Sequence, residues 1–267
     1  MLAATMAGLR RWTWMIASWP SRLWIIRHGE SAGNVARAAA YAAGAERIDV
    51  TLRDMDVPLS PNGCEQAAAL GRWFARRPVE ERPEVLLASP YLRARDTARL
   101  FQEAGGCDAA EPICLDERLR EKEFGILDGL TTAGIARHEP QQAEARRSLG
   151  KFYHRPPGGE SWCDVILRLR SLMDTVALHH AGRPVMIFAH QVVVLCLRYV
   201  LEGMDEEQIL AIDRTGNIGN CAITEYRFDA AGGKDGGMVL TRFNATAALD
   251  GEEALPTAEP RHRLPPA

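Results

Sequence analysis

The chain predicts an α/β protein: a three-layer α/β/α sandwich with a mainly parallel sheet and an antiparallel edge strand. Three observations predict it. Short apolar runs of strand length alternate with longer amphipathic stretches of helical period. Two of those runs, Leu23–Arg27 and Pro184–Ala189, are each followed at once by a histidine and then a helix. The last two runs, Cys221–Phe228 and Met238–Asn244, are joined by the Gly-rich stretch Ala231–Gly237, which suits an antiparallel pair near a sheet edge.

The opening run Leu23-Trp24-Ile25-Ile26 leads into Arg27-His28-Gly29-Glu30 and then Ser31, Gly33 and Asn34. This is the layout of a buried strand ending in a loop that opens a helix. Open α/β sheets place ligands at such carboxyl ends. An arginine and a histidine there can hold and attack an anion. The helix runs from Ser31 to about Ala43, and Gly44–Val57 is an irregular, charged connection. Ser60 and Pro61 start the next helix, to about Arg76, with Ala67, Leu70, Trp73 and Phe74 inward.

Glu84–Ala88 is a second strand, and Ser89-Pro90 repeats the cap-then-proline device before a helix that stops at Gly105-Gly106. Arg93 falls in that helix's first turn, at the same sheet edge as His28 if the strands are parallel. Pro112–Leu115 is a short third strand, followed by a loop holding Glu121, Phe124, Gly125 and Gly129. A carboxylate in such a loop is a candidate general acid. The stretch 130–159 is long and polar, with helices near Thr131–His138 and Gln141–Leu149, and reads as a lid. It is dense in cations. Pro156-Pro157-Gly158-Gly159 closes it, and Glu160-Ser161 opens a helix burying Val165, Leu167, Leu169, Leu172, Met173 and Val176. After the second strand–histidine unit come the helix Val192–Leu201 and a short one, Glu206–Ile212. Two histidines at neighbouring strand ends could grip one phosphate from two sides.

Composition narrows the function classes. The 267 residues are 46% hydrophobic and 25% charged, ordinary for a globular chain able to bury a proper core. Net charge is −3, so no basic field points to nucleic acid, and any phosphate site must be a local cluster of cations. The six cysteines are scattered without a C-x-x-C pair, which reads as reduced thiols in a cytoplasmic protein. No run has the length of a membrane span, so no membrane partner is expected. Residues 1–20, with a Trp-rich run, read as a flexible extension or a start placed too early, Met6 and Met15 being alternatives. Residues 21–246 read as one domain, with the lid as an insertion, and 247–267, rich in Pro, Glu and Ala, as a disordered tail.

The ordered set Arg27-His28-Gly29-Glu30-Ser31 with Asn34, Ser89-x-x-Leu92-Arg93-Ala94-x-x-Thr97-Ala98, Glu121-x-x-Phe124-Gly125, Pro157-Gly158-Gly159-Glu160-Ser161 and Ala189-His190 resembles the histidine phosphatase superfamily. That group includes cofactor-dependent phosphoglycerate mutases and fructose-2,6-bisphosphatases. The resemblance covers about Arg22 to Asn244. It implies that His28 is the nucleophile, that Arg27, Arg93 and His190 hold the phosphoryl oxygens, and that Glu121 is the general acid, then base. No metal and no cofactor are implied.

Gln191 follows His190 where most of the family has glycine, a feature shared with the fructose-2,6-bisphosphatase branch. The lid resembles that branch too: Arg147 and Lys151 lie one helical turn apart, and Lys151-Phe152-Tyr153-His154-Arg155-Pro156 precedes the Gly-Glu-Ser motif. The resemblance thus implies substrate contacts from Ser31, Asn34, Arg147, Lys151, Tyr153, Arg155 and Gln191. The expected activity is hydrolysis of a small phosphorylated metabolite, with a sugar phosphate a candidate. A phosphoglycerate mutase and a non-catalytic phosphate-binding module are the alternatives, and a homodimer stays open.

Overall fold

The computed structural model describes residues 19–107, 112–232, 236–250 and 254–258. A six-stranded sheet carries the fold. Its strands are β1 (Arg22–Arg27), β2 (Val85–Ala88), β3 (Cys114–Leu115), β4 (Pro184–Ala189), β5 (Ile223–Asp229) and β6 (Gly237–Ala245), in the order β3-β2-β4-β1-β5-β6. The first four in that order are parallel. β5 runs antiparallel to β1, and β6 antiparallel to β5 at the edge. The predicted α/β sandwich with its antiparallel edge is what forms.

Strand alternation sends side chains to two cores. Leu23, Ile25, Val85, Leu87, Val185 and Ile187 face one side, where α6 (Trp162–His179) and α7 (Gln191–Leu201) cover them. Trp24, Ile26, Leu86, Ala88, Met186 and Phe188 face the other, under α2 (Pro61–Ala75) and α3 (Leu92–Glu103). β1, β2 and β4 are flanked on both faces, which is why these runs are apolar throughout rather than alternating, whereas the short edge strand β3 is exposed.

Of the helix starts marked in the sequence by a serine cap, all but one form as read; α5 (Pro140–Tyr153) and α7 also start without a side-chain cap. Ser31 caps α1 (Ala32–Ala42), Ser60 caps α2 with Pro61 at its first position, and Ser161 caps α6 in a capping box. The exception is α3. Its cap position is Tyr91, with no side-chain cap, because the Ser89 hydroxyl is used elsewhere. Leu167 is also corrected: it is 64% exposed, since Val165, Ile166, Leu169, Leu172, Met173 and Val176 already fill the inward stripe of α6.

The lid comprises α4 (Thr132–His138) and α5 (Pro140–Tyr153), and α5 is broken at Gly150, whose φ is 78°. It is not wholly outside the core as expected. Phe152 is buried against Trp162 and Tyr199, and anchors the lid's far end. α8 (Glu206–Thr215) follows α7.

The termini also differ from expectation. Residues 1–18 of the expected extension lie outside the described residues, but Trp19 packs on the core and its carbonyl accepts from the Gly182 N–H. In the expected tail, 251–253 and 259–267 lie outside the described residues. Of the rest, Ala248, Leu249 and Ala254 are buried in the core under α2 and α3. Small apolar residues spaced without period gave no signal of this burial. No disulfide forms among the described residues, and none of their helices is long and apolar enough to cross a membrane.

Candidate active site

The carboxyl ends of β1, β4 and β2 lie side by side and are tied by backbone bonds. The His28 N–H donates to Ala189 O (2.9 Å) and the Ser89 N–H to Phe188 O (3.0 Å). The chain leaving each strand enters a helix: α1 after His28, α7 directly after His190, α3 after Ser89. Three helix N-termini, the positive ends of their dipoles, therefore meet at one sheet edge.

The two histidine rings face each other there, centroids 5.2 Å apart and inclined by 60°. Both are buried. His28 Nδ1 lies 2.7 Å from Gly29 O. A carbonyl can only accept, so Nδ1 carries the proton and Nε2 carries the lone pair. His190 Nε2 lies 2.8 Å from the Ser89 hydroxyl. That hydroxyl accepts from the Tyr91 N–H (3.3 Å) and has its own proton to give to His190 Nε2. The His190 proton then sits on Nδ1, a buried atom with no partner among the described residues. An entering oxygen would supply one. The Ser89 signal in the sequence was real, but its hydroxyl orients a histidine rather than capping a helix.

Both histidines have pKa values well below the usual imidazole range. Burial is the largest cause for each, followed by Arg93; Arg27 acts on both, and for His190 the neighbouring His28 adds to it. Arg27 is almost fully buried and donates to Ile218 O. Arg93 is held by the loop between α1 and α2, where its two terminal nitrogens donate to Asp54 O and to Asp54 Oδ2 (3.0 Å). Its guanidinium also lies 5.2 Å from the Tyr91 ring centroid.

The loop after β1 is pressed tightly against its surroundings. A Cβ on Gly63 would come 1.9 Å from Glu30 O, so only glycine lets the start of α2 approach this loop. The Phe124-Gly125 and Gly158-Gly159 motifs meet in the same way. Gly125, at φ 56°, would place a Cβ 2.1 Å from Pro157 O.

Glu121 lies in the loop after β3, its carboxylate accepting from the Lys122 N–H (2.8 Å). The Gly-Glu-Ser motif explains how that loop is held. Glu160 accepts from Arg120 (2.7 Å), from Arg168 Nε (3.0 Å) and Nη2 (3.1 Å), and from the Glu123 N–H (3.1 Å). Arg168 Nη2 reaches on to Glu121 O (3.3 Å). Arg168 looked like one more helix arginine in the sequence.

The remaining expected contacts fare unevenly. The Ser31 hydroxyl is the N-cap of α1, accepting from the Asn34 N–H, and Asn34 Oδ1 accepts in return from the Ser31 N–H (3.0 Å) and from Asn220 Nδ2 (3.3 Å). Gln191 donates to Asn217 Oδ1 (3.0 Å), and its own Oε1 is buried without a partner among the described residues. The four lid residues are engaged with carboxylates of this chain. Arg147 pairs with Glu144, Lys151 with Asp213 (2.6 Å), Arg155 with Asp164, and Tyr153 bonds Glu206.

A different set of basic residues, in the lid and in the loop after β3, is left over. Lys122 is only 7% exposed; its ammonium has one long contact, to Glu123 O at 3.4 Å, and lies 4.5 Å from the Phe124 ring centroid. Burial, then the nearby Arg146, pull its pKa down to about 8. His154 is buried too, with its pKa lowered by burial, Arg146 and Lys122. Neither Lys122 nor Arg146 has a salt bridge among the described residues. Lys122 was hidden in the sequence inside an acidic run, whereas Arg146 and His154 belong to the run of lid residues that the sequence offers as possible anion contacts.

Comparison with known proteins bears on this geometry. The family described as "Histidine phosphatase superfamily (branch 1)" matches residues 23–244. A probable fructose-2,6-bisphosphatase of Schizosaccharomyces pombe is 30% identical over 187 residues, 70% of this chain and 40% of that protein. A 2,3-bisphosphoglycerate-dependent phosphoglycerate mutase of Gloeobacter violaceus is 33% identical over 162 residues, 59% of this chain and 70% of the mutase. A mycobacterial glucosyl-3-phosphoglycerate phosphatase, solved with VO3, superposes with a TM-score of 0.65 at 27% identity, covering 84% of this chain and 99% of that one. The chain thus spans well under half the length of its fission-yeast relative.

Proposed function

This chain belongs to the histidine phosphatase superfamily, and from that premise we propose that it hydrolyses phosphate monoesters through a phosphohistidine on His28 Nε2. One observation carries the reading: the Nδ1–Gly29 O bond leaves the lone pair on Nε2, in a ring that burial and two arginines keep unprotonated. A neutral, oriented imidazole is what in-line attack on phosphorus requires.

In this reading the groups act in turn. His28 Nε2 attacks phosphorus, the bond to the ester oxygen breaks, and Glu121 gives that oxygen a proton as it leaves. Arg27, Arg93 and the His190 Nδ1–H hold the non-bridging oxygens as charge shifts onto them. Glu121, now a carboxylate, then takes a proton from water as the water oxygen attacks the phosphohistidine. Inorganic phosphate leaves and His28 is restored.

The substrate in this reading is a small, cytoplasmic phosphorylated metabolite with a second acid group. Lys122 and Arg146 supply the cationic wall for that group, beside a His154 ring whose lowered pKa keeps it neutral, in place of Arg147 and Lys151, which already pair with Glu144 and Asp213. Each of the three relatives above is named for a substrate with a second acid group.

The test is phosphate release from a panel of monoesters, 3-phosphoglycerate, fructose phosphates and p-nitrophenyl phosphate among them, in parallel with His28→Ala. Release by the wild type and none by the variant supports hydrolysis. Interconversion of phosphoglycerates primed by 2,3-bisphosphoglycerate, without release, would make it a mutase. Neither activity would leave a binding module.

A further inference from the structure

The matched family region ends at residue 244, yet residues 254–258 return to the back of the catalytic loop. Leu255 is pinned first: its N–H donates to Asn62 Oδ1 (3.0 Å), and its carbonyl accepts from Gln66 Nε2 (2.7 Å). Thr257 then makes three bonds. Its carbonyl accepts from the Asn220 N–H (2.9 Å), and its hydroxyl donates to Asn220 Oδ1 (3.2 Å) and accepts from Gln66 Nε2 (2.9 Å). Gln66 and Asn220 are both buried.

Their other ends grip the loop. Gln66 Oε1 accepts from the Glu30 N–H (2.8 Å), and Asn220 Nδ2 donates to His28 O (3.0 Å). The Glu30 N–H and Gly29 O are opposite ends of one planar peptide unit. Holding the N–H therefore aims the carbonyl, and that carbonyl sets the His28 tautomer. The preceding peptide unit is held at both ends as well, by Asn220 on His28 O and by Thr97 on the Gly29 N–H (3.0 Å). Gly29 between the two units is the softest residue in the loop. Rotation of either unit would release the Nδ1 proton and blur which ring nitrogen attacks.

We propose that Thr257 is a positioning residue: its hydroxyl joins Gln66 to Asn220, and through them residues 254–258 fix the two peptide units that hold the His28 ring. The segment thereby acts on catalysis without approaching the substrate. The inference rests on His28 being the nucleophile. One of its two readouts does not depend on turnover.

The pair Thr257→Val and Thr257→Ser tests it in the full chain. Valine keeps the shape and removes the hydroxyl, whereas serine keeps the hydroxyl. The first readout is the His28 ring tautomer by nitrogen NMR, free of any substrate. The second is kcat against KM on p-nitrophenyl phosphate. Thr257→Val is expected to mix the tautomers and lower kcat about tenfold, a small misplacement of a reacting group, with KM within about twofold; Thr257→Ser is expected to restore both. A wild-type ring signal and kcat in Thr257→Val would overturn the proposal. So would a loss that follows melting temperature and is not rescued by serine. Were the wild type to hydrolyse no ester, the ring signal would still decide the positioning role, and the hydrolase reading alone would fail.

Discussion

Glu160→Gln is the sharpest test of how the general-acid loop is held. The change is isosteric but removes the charge that four donors share: Arg120, two nitrogens of Arg168, and the Glu123 N–H. The Arg168 and Glu160 side chains are only 10% and 12% exposed, so water cannot replace the lost partner. Breaking a buried ion pair from one side costs about 3–5 kcal/mol. Arg120, at 31% exposure, adds little to that. For a domain of this size about 1 kcal/mol corresponds to about 2–4 °C, so the melting temperature should fall by roughly 6–20 °C. Calorimetry measures it directly. The same variant should lose more activity on an alkyl phosphate than on p-nitrophenyl phosphate, because the loop that loosens carries Glu121. A fall of less than about 3 °C, with both substrates unaffected, would refute the account of the Gly-Glu-Ser motif as a buried anchor.

Three more predictions concern protons. Glu121→Gln should slow hydrolysis of alkyl phosphates by about 10²–10⁴-fold and that of p-nitrophenyl phosphate far less; equal losses would remove Glu121 from the acid role. His28 and His190 bind protons more weakly folded than unfolded, so below the unfolded value of 6.5 the unfolded chain takes up protons that the native state refuses. Denaturant melts should therefore show stability falling with pH below that point, by up to about 1.4 kcal/mol per pH unit for each histidine, and a flat profile there would contradict their burial as neutral rings. Lys122 is cationic below its pKa of about 8. The kcat/KM for an ester with a second acid group should accordingly drop as pH rises through that value, while p-nitrophenyl phosphate shows no such step, and Lys122→Met should erase the difference.

Much of the fold was legible because strand and helix periods differ and because proline and serine mark helix starts. Leu23–Arg27 and Pro184–Ala189 were read correctly as buried neighbours, since runs apolar on both faces belong in the middle of a sheet. The histidine and arginine positions were legible for the same reason, as chemistry placed at strand ends. The supporting bonds were not. Ser89 was assigned to a cap, yet its hydroxyl is bonded to a residue 101 positions away. Gln66, Asn220 and Thr257 carry no pattern at all, since their roles depend on contacts between segments up to 192 residues apart. The lid's pairings were not legible for a related reason. Helical spacing brought Arg147 and Lys151 together on paper, but each pairs with a carboxylate of this chain, while Lys122 and Arg146 have no salt bridge among the described residues.

The central claim is a covalent bond between phosphorus and His28 Nε2. Rapid quenching of the enzyme during turnover of a phosphate monoester, followed by peptide mass spectrometry under alkaline conditions, measures it directly. The account predicts one phosphoryl group, labile to acid and stable to base, on the peptide containing His28 and absent from His28→Ala. Turnover with His28 unmodified at every quench time, or a phosphoryl group found on His190 instead, would contradict it.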